Sequence, residues 1–270
     1  MPAPLVLLER DGDVAILTLN DPDRLNAMSE AMGQALAERV DALAADASLR
    51  AVVLTGAGRA FSAGGDLDLL ERMARAGNAS PGGETRAAQQ AFMGRFYRLF
   101  LRLRALPQPT LAAVNGPAIG AGCCVTLGCD LRIAAREAKL GLNFARLGIH
   151  PGMAATWTLP RLVGPAHAAE LLLTGRILDG VEAERIGLVN RAVPGETLQG
   201  EALALARAIA ESAPLAVRGA KRSLARSADA TLDEQLDQEA HEQALCYESG
   251  DLLEGLAAAR ERRAPRFSGR

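Results

Sequence analysis

Two glycine-rich segments contain the residues whose types and spacing could do chemistry. They are residues 58–67 (GRAFSAGGDL) and residues 115–124 (NGPAIGAGCC). Each follows a strand pattern and opens a helical one, so small residues leave backbone N–H groups uncovered beside a helix N-terminus. If the two turns converge, they form an oxyanion hole from main chain alone, where one donor can be worth about 3 kcal/mol. The alternative is that the glycines only permit tight strand–helix packing.

Other kinds of ligand site find little support in the sequence. Gly116, Gly120 and Gly122 lack the G-x-G-x-x-G spacing of a dinucleotide turn, and no GK[ST] phosphate loop is present. The cysteines are 123, 124, 129 and 246, without a C-x-x-C or His/Cys cluster, so we expect no bound metal. Reduced, buried thiols in a cytoplasmic protein are the simplest interpretation of these cysteines.

Several segments carry a family resemblance. Residues 61–67 (FSAGGDL) resemble the first oxyanion motif of the enoyl-CoA hydratase/isomerase (crotonase) superfamily, and residues 113–123 resemble the second. Residues 20–26 (NDPDRLN) are similar to the family's early turn that contacts coenzyme A. Residues 147–163 and 173–194 resemble later family segments. The similarity runs in order along essentially the whole chain.

The resemblance implies an α/β fold, namely a crotonase-like spiral of repeated ββα turns. The spiral would span residues 1–197 and bind acyl-CoA, and a helical C-terminal region, residues 198–270, would assemble a homotrimer or a dimer of trimers. It also implies that Gly65 and Ala121 supply the oxyanion N–H groups. Coenzyme A would enter as part of the substrate, with no other cofactor, and its implied contacts are Arg24, Leu25, Ala63, Asp66 and Leu67.

The sequence departs from the family pattern at the acids. The two glutamates of family hydratases fall on Cys124 and Phe144, and an aspartate used by some isomerases and a dehalogenase falls on Gly152. Neither a thiol nor a phenyl ring replaces a carboxylate that positions water. Hydration is therefore disfavoured, whereas isomerisation needs one base and decarboxylation needs little beyond the oxyanion hole. The alternative is a non-catalytic acyl-CoA-binding or scaffold protein.

His150 is the candidate base, because imidazole titrates near neutral pH and this residue borders the acyl pocket in relatives. The alternative is a structural histidine on a turn. Asp68 and Glu71 are weaker candidates, and Asp68 also suits the start of a helix. Cys124 is interpreted as an inert thiol. Trp157 and Phe144 are expected to pack in the core or to line an acyl pocket.

The elements that must position these residues follow from hydrophobic periodicity. Strands are predicted at 14–19, 51–54, 110–114 and 131–134, and helices at 29–44 (with Ser29 as N-cap), 67–75 and 86–103. Residues 77–83 are expected to be flexible, and the chain after residue 153 to be mostly helical. Strand, glycine turn and helix recur three times, which favours a stacked spiral core over two unrelated domains.

Composition sets outer limits on function. The chain has 270 residues and a net charge of −2, so no overall field attracts nucleic acid or an anionic membrane. No apolar run approaches the ~18 residues of a membrane span. Residues 1–9 are interpreted as a first strand, without the basic region of a signal peptide. The arginines near the C-terminus are expected to form a solvated tail or, alternatively, a phosphate-docking site; they are Arg260, Arg262, Arg263, Arg266 and Arg270.

Overall fold

The computed structural model describes residues 3–270. Its strands are β1 (Val6–Asp11), β2 (Val14–Leu19), β3 (Ala51–Gly56), β4 (Thr110–Val114), β5 (Ala118–Ile119), β6 (Leu131–Ala135), β7 (Lys139–Gly141), β8 (Ile177–Asp179) and β9 (Arg191–Val193). Its α-helices are α1 (Glu30–Ala44), α2 (Leu67–Ala79), α3 (Gly83–Leu101), α4 (Ala121–Leu127), α5 (Ala155–Thr174), α6 (Gly180–Arg185), α7 (Leu198–Ala210), α8 (Pro214–Ser227), α9 (Leu232–Tyr247) and α10 (Gly250–Glu261).

Two sheets form the core of the spiral. The larger has the order β1-β2-β3-β4-β6-β9, and every neighbouring pair except β1–β2 is parallel. Parallel strands are covered on both faces, which explains why β4 is buried along its whole length. The smaller sheet has the order β5-β7-β8. Twice, at β4-β5-α4 and at β6-β7-α5, a strand of the large sheet is followed by a strand of the small sheet and then by a helix. This repeat agrees with the predicted spiral.

Local sequence signals account for the first helix. The Ser29 side chain accepts a hydrogen bond from the Met32 N–H at 3.2 Å, as expected of an N-cap. Met32, Leu36 and Val40 recur at helical spacing and are fully buried. The predicted bounds of this helix are therefore confirmed.

Residues 77–83, the segment expected to be flexible, contain the end of α2 and the turn that leads into α3. Helix α2 continues to Ala79, and α3 begins at Gly83, four residues later. The turn between them uses positive φ angles of 86° at Gly82 and 48° at Gly83. Gln89 on α3 donates to the Met73 carbonyl oxygen at 2.7 Å and ties the two helices together.

The predicted helical C-terminal region begins with a helix of the core. On α7, Leu198, Ala202 and Ala206 are buried within the main hydrophobic core. Helices α8, α9 and α10 follow, and α8 packs against α9. No helix within residues 3–270 combines the length and apolarity that crossing a bilayer requires.

The five arginines near the C-terminus are exposed, as expected of a solvated tail, but the backbone of the tail is held in place. The Ser268 and Gly269 N–H groups donate to the Asp251 carboxylate at 2.7 and 2.9 Å, and Asp251 is only 3% exposed. Arg263 pairs with Glu254 at 2.6 Å and also with Glu261. These contacts hold the last residues against the start of α10, where Asp251 supplies the acceptor for their backbone.

Candidate active site

The two glycine-rich turns lie side by side. The Ser62 N–H donates to the Pro117 carbonyl oxygen at 3.0 Å, and the Ile119 N–H donates to the Ser62 carbonyl oxygen at 3.0 Å. Together these bonds form a parallel bridge between Ser62 and Ala118. The predicted convergence of the turns is thus present in the backbone hydrogen bonds.

Small residues are required where the turns approach. A Cβ atom added to Gly64, whose φ is +101°, would lie 2.5 Å from the Ile119 carbonyl oxygen and 3.6 Å from the Ala121 nitrogen. A Cβ added to Gly122 would lie 2.5 Å from the Ser62 carbonyl oxygen. Separations of 2.5 Å are shorter than real Cβ contacts, so neither position accepts a side chain without movement of the backbone. Tight packing and the convergence of donors are therefore two consequences of the same close approach.

The backbone geometry frees two N–H groups. Gly65 lies between the hydrogen bonds that Met28 makes with Gly64 (2.8 Å) and Asp66 (3.4 Å), so the Gly65 N–H points away from Met28. Ala121 begins α4, where an N–H precedes the intrahelical ladder. Neither N–H has a backbone acceptor among residues 3–270. Both residues line one cavity, so two donors are available to a bound oxygen.

The cavity has a volume of about 180 Å³ and a mostly apolar wall. Its polar backbone lies at the glycine turns, and its apolar wall comes from α2, α3 and the segment after β7. The lining side chains with titratable groups are Asp66, Tyr97 and His150. The apolar lining side chains are Leu67, Leu69, Leu70, Met93, Phe96, Phe144, Leu147, Ile149 and Met153.

The three acid positions of the family hold no carboxylate here. Cys124 is 1% exposed, and burial raises the pKa of its thiol well above the usual range, so it stays protonated. Phe144 is buried and lines the cavity, as expected. A Cβ added to Gly152 would lie 2.6 Å from the Tyr97 hydroxyl oxygen. The space that an acidic side chain would fill at position 152 is therefore occupied by a phenol.

Sequence reasoning missed Tyr97. It lies in the middle of α3, where Phe92, Phe96 and Phe100 stack along the helix. In the sequence, its aromatic neighbours suggest a residue that only packs in the core. The contact of its hydroxyl with the cavity depends on the tertiary structure. Burial raises the pKa of the Tyr97 phenol, so the group is neutral at neutral pH.

His150 lines the cavity from its exposed side. Its Nδ1 lies 2.7 Å from the Pro151 carbonyl oxygen. Because that oxygen can only accept, Nδ1 is the donor in this contact, and Nε2 is the ring nitrogen left to act as a base.

The weaker candidates do not line the cavity. Glu71 pairs with Arg75 at 2.5 Å in solvent, and Asp68 is exposed at the start of α2. Trp157 corrects our expectation of a core or pocket residue, since it is 38% exposed. The guanidinium carbons of Arg104 and Arg161 lie 5.2 and 4.0 Å from the centroid of its ring. Cation–π attraction to both arginines stabilises this exposed position.

The residues that the resemblance assigns to coenzyme A are brought together at one edge of the cavity. Ala63, Asp66 and Leu67 line it, and Leu67 is 69% exposed at its mouth. The Leu25 carbonyl oxygen accepts from the Ala63 N–H at 2.9 Å, and the Arg24 guanidinium lies 3.8 Å from the Asp66 carboxylate. Their role in binding coenzyme A stays a prediction.

The early turn is held in place by Asn26, a second residue that sequence reasoning missed. Asn26 is fully buried, and its Nδ2 donates to the Ala57 and Ala60 carbonyl oxygens at 2.9 and 2.8 Å. Its Oδ1 accepts from the Asp21 N–H at 2.8 Å. The Asn26 backbone has a φ of +55°, a conformation to which asparagine is well suited. The side chain therefore joins the turn at residues 20–26 to the first glycine turn.

Comparisons with known proteins agree with this geometry. The family model for enoyl-CoA hydratase/isomerase matches residues 9–270. The chain is 39% identical to the 1,2-epoxyphenylacetyl-CoA isomerase of Escherichia coli K12 over 266 residues, with 98% of each chain covered. It is 36% identical to the 2,3-dehydroadipyl-CoA hydratase of the same organism, covering 98% of this chain and 99% of the relative.

A solved structure gives the same result. The crystal structure of an enoyl-CoA hydratase from Bacillus anthracis matches with a TM-score of 0.88 and 34% identity, covering 98% of this chain and all of the other. The sequence match, the crotonase fold and the converging glycine turns lead to one conclusion. The chain belongs to the enoyl-CoA hydratase/isomerase family of acyl-CoA enzymes.

Proposed function

We propose that this protein moves a double bond within an acyl-CoA thioester through an enolate intermediate. The main observation in its favour concerns one cavity, which combines the N–H donors of Gly65 and Ala121 with the absence of a carboxylate at the three acid positions of the family. Those positions hold Cys124, Phe144 and Gly152. This arrangement supports stabilisation of negative charge on the thioester oxygen and provides little that would activate water.

The proposed reaction begins with the thioester oxygen between the Gly65 and Ala121 N–H groups. Both donors are fixed by the backbone and lie in an apolar cavity, where hydrogen bonds to a developing charge are strongest. They acidify the α-carbon of the acyl group. His150 Nε2 removes the α-proton, and the enolate charge rests on the oxygen until a proton returns at the γ-carbon.

Hydration is less well supported by the residues of this site. It requires a water molecule oriented by carboxylates, and the carboxylate among the lining residues, Asp66, is engaged elsewhere. Its oxygen accepts from the Asp68 and Leu69 N–H groups at 3.0 and 3.2 Å as the cap of α2. Relatives are named as isomerases and as hydratases, so the choice rests on these residues. Decarboxylation of a malonyl-type thioester also fits the cavity, because it needs no base.

The cavity volume limits the acyl group. A cavity of about 150 Å³ lined by Leu, Ile and Phe binds benzene, so the 180 Å³ here suits a ring or a chain of ~6–8 carbons. Phe96, Phe144 and Tyr97 provide aromatic walls. We therefore expect a compact, apolar acyl group to be preferred over a long one.

The test compares three reactions of the purified protein, using 3-hexenoyl-CoA for isomerisation, crotonyl-CoA for hydration and malonyl-CoA for decarboxylation. We expect isomerisation to exceed hydration by about 100-fold, the usual contribution of a positioned acid or base. Hydration at the faster rate would contradict the proposal. Tight binding of the thioesters without turnover in any assay would favour the non-catalytic binding protein instead.

We also propose that α8, α9 and α10 contact further copies of this chain, as a homotrimer or a dimer of trimers. Large apolar side chains on these helices are exposed, including Leu224 (73%), Leu232 (75%) and Leu253 (72%). Exposed apolar surface of this kind favours association. Analytical ultracentrifugation tests the proposal, and a monomer at micromolar concentration would contradict it.

A cytoplasmic location is the corresponding proposal from the cysteines. All four are free thiols; three are buried, and Cys246 is half-buried, which differs from the expectation that all would be buried. Free thiols persist in reducing compartments. Fractionation of cells that express the chain would test this location.

A further inference from the structure

A tyrosine hydroxyl occupies the space beside Gly152, where some relatives carry an aspartate. The Tyr97 hydroxyl oxygen lies 2.6 Å from the position that a Cβ atom of Gly152 would take. The Cys124 thiol lies 3.7 Å from the Gly152 carbonyl oxygen. Tyr97 lines the same cavity as Gly65 and Ala121. The phenol therefore faces the space in which the acyl carbons of a bound thioester would lie.

The surroundings keep this phenol a donor. Tyr97 is half-buried, and burial raises the pKa of its phenol, whereas no hydrogen bond from residues 3–270 contributes to the shift. The remaining titratable groups of the cavity are His150, at the exposed side, and Asp66, at the start of α2. The Tyr97 hydroxyl is thus neutral at working pH and has its proton available to a ligand.

We propose that Tyr97 is the catalytic acid that protonates the γ-carbon of the dienolate. The inference rests on the proposed isomerisation. His150 Nε2 takes the proton from the α-carbon, and the electron pair is delocalised over the thioester oxygen and the γ-carbon. The Tyr97 O–H bond then breaks, a C–H bond forms at the γ-carbon, and the double bond closes between the α- and β-carbons. The phenolate regains its proton from the imidazolium through solvent, so protons and electrons balance.

The direction of transfer is favourable. A dienolate carbon is a stronger base than a phenolate, so the phenol can protonate it even though burial weakens the phenol as an acid. Removing a proton from the α-carbon and adding one at the γ-carbon is also easier for two groups that reach different parts of the cavity. His150 reaches the cavity from its exposed side and Tyr97 from α3. Gly152 is required beside the phenol, because any side chain there would displace the hydroxyl.

The test follows 3-hexenoyl-CoA in D₂O with Tyr97→Phe, which removes only the hydroxyl. Tyr247→Phe is the matched control, since Tyr247 is the second of the two tyrosines and is exposed on α9. We expect Y97F to form 2-hexenoyl-CoA about 100-fold more slowly, while deuterium still enters the α-position of recovered substrate at the wild-type rate. Y247F should match wild type in both measurements.

Each outcome separates the inference from the proposed function. Wild-type product formation by Y97F overturns the role of Tyr97 and leaves isomerisation standing. A wild-type protein that gives neither product nor α-exchange overturns both. Equal loss of product and exchange in Y97F overturns the role as acid, since it would indicate damage to the enolate site.

A near-isosteric substitution tests the proton itself. With 3,5-difluorotyrosine at position 97 the phenol is more acidic, so kcat should fall on the alkaline side at a lower pH than in wild type. The reason is that a phenolate cannot donate. A structural role would leave the pH profile unchanged, and an unchanged profile would overturn the proposal.

Discussion

Replacing Gly64 by Ala tests whether convergence of the two glycine turns produces the activity. Gly64 has a φ of +101°, and its added Cβ would lie 2.5 Å from the Ile119 carbonyl oxygen. Real Cβ atoms essentially never come closer than 3.0 Å, so the turn that ends at Ala121 must move by about 0.5 Å. The Ala121 N–H moves with it, away from the position that the thioester oxygen shares with Gly65.

The magnitude follows from two contributions. An alanine held at a positive φ costs about 1–3 kcal/mol of folding stability at either of two sites, Gly64 or Gly82. Gly82 has a φ of +86° and no atom within 4 Å of an added Cβ, so Gly82→Ala is the matched control. Losing one oxyanion donor costs about 3 kcal/mol of transition-state stabilisation, which is a factor of about 100 in kcat. We expect that loss in G64A alone.

The assay measures kcat for 3-hexenoyl-CoA isomerisation and the midpoint of thermal unfolding for both variants. G82A should lose stability and keep its kcat, whereas G64A should lose both. If G64A at a temperature where it is folded retains the kcat of G82A, the turns do not act through the positions of their N–H groups. The reasoning about convergence would then be wrong.

Further predictions concern the acid and base positions. Gly152→Ala should displace the Tyr97 hydroxyl and lower isomerisation about tenfold or more, while crotonyl-CoA binding measured by calorimetry stays intact. Cys124→Glu combined with Phe144→Glu should raise crotonyl-CoA hydration about 100-fold; unchanged hydration in a folded double variant would contradict our account of the missing carboxylates. His150→Gln should lower isomerisation about 100-fold and leave malonyl-CoA decarboxylation, which needs no base, at the wild-type rate. Because burial keeps the Cys124 thiol protonated, a thiol reagent at pH 8 should label Cys246 in the native protein and leave Cys124 unlabelled until the protein unfolds.

Much of the site could be predicted from sequence because it is local. Each glycine turn is a short segment between a strand and a helix, so its small residues are adjacent in the chain. The donors Gly65 and Ala121 followed from those segments and from the family pattern. Strands β2, β3, β4 and β6 of the large sheet were also predicted, because buried parallel strands read as continuous apolar runs. The short strand β9 was not predicted.

The parts that sequence could not supply depend on contacts between distant segments. Tyr97 and Gly152 are 55 positions apart, and their contact exists only because α3 crosses the cavity. Asn26 looked like one polar residue of a turn, yet its buried amide joins that turn to Ala57 and Ala60. Trp157 was misjudged because Arg104, from a distant segment, and Arg161, one helical turn away, stabilise it at the surface.

The central claim is that the Gly65 and Ala121 N–H groups stabilise a thioester enolate. Butyryl-CoA tests it most directly, because a saturated acyl group can be neither hydrated nor isomerised. Incubation with the protein in D₂O, followed by mass spectrometry of the recovered thioester, measures deuterium at the α-carbon. The account predicts catalysed exchange in wild type and a loss of about 100-fold in G64A. Absence of exchange with wild-type protein that binds butyryl-CoA would contradict it.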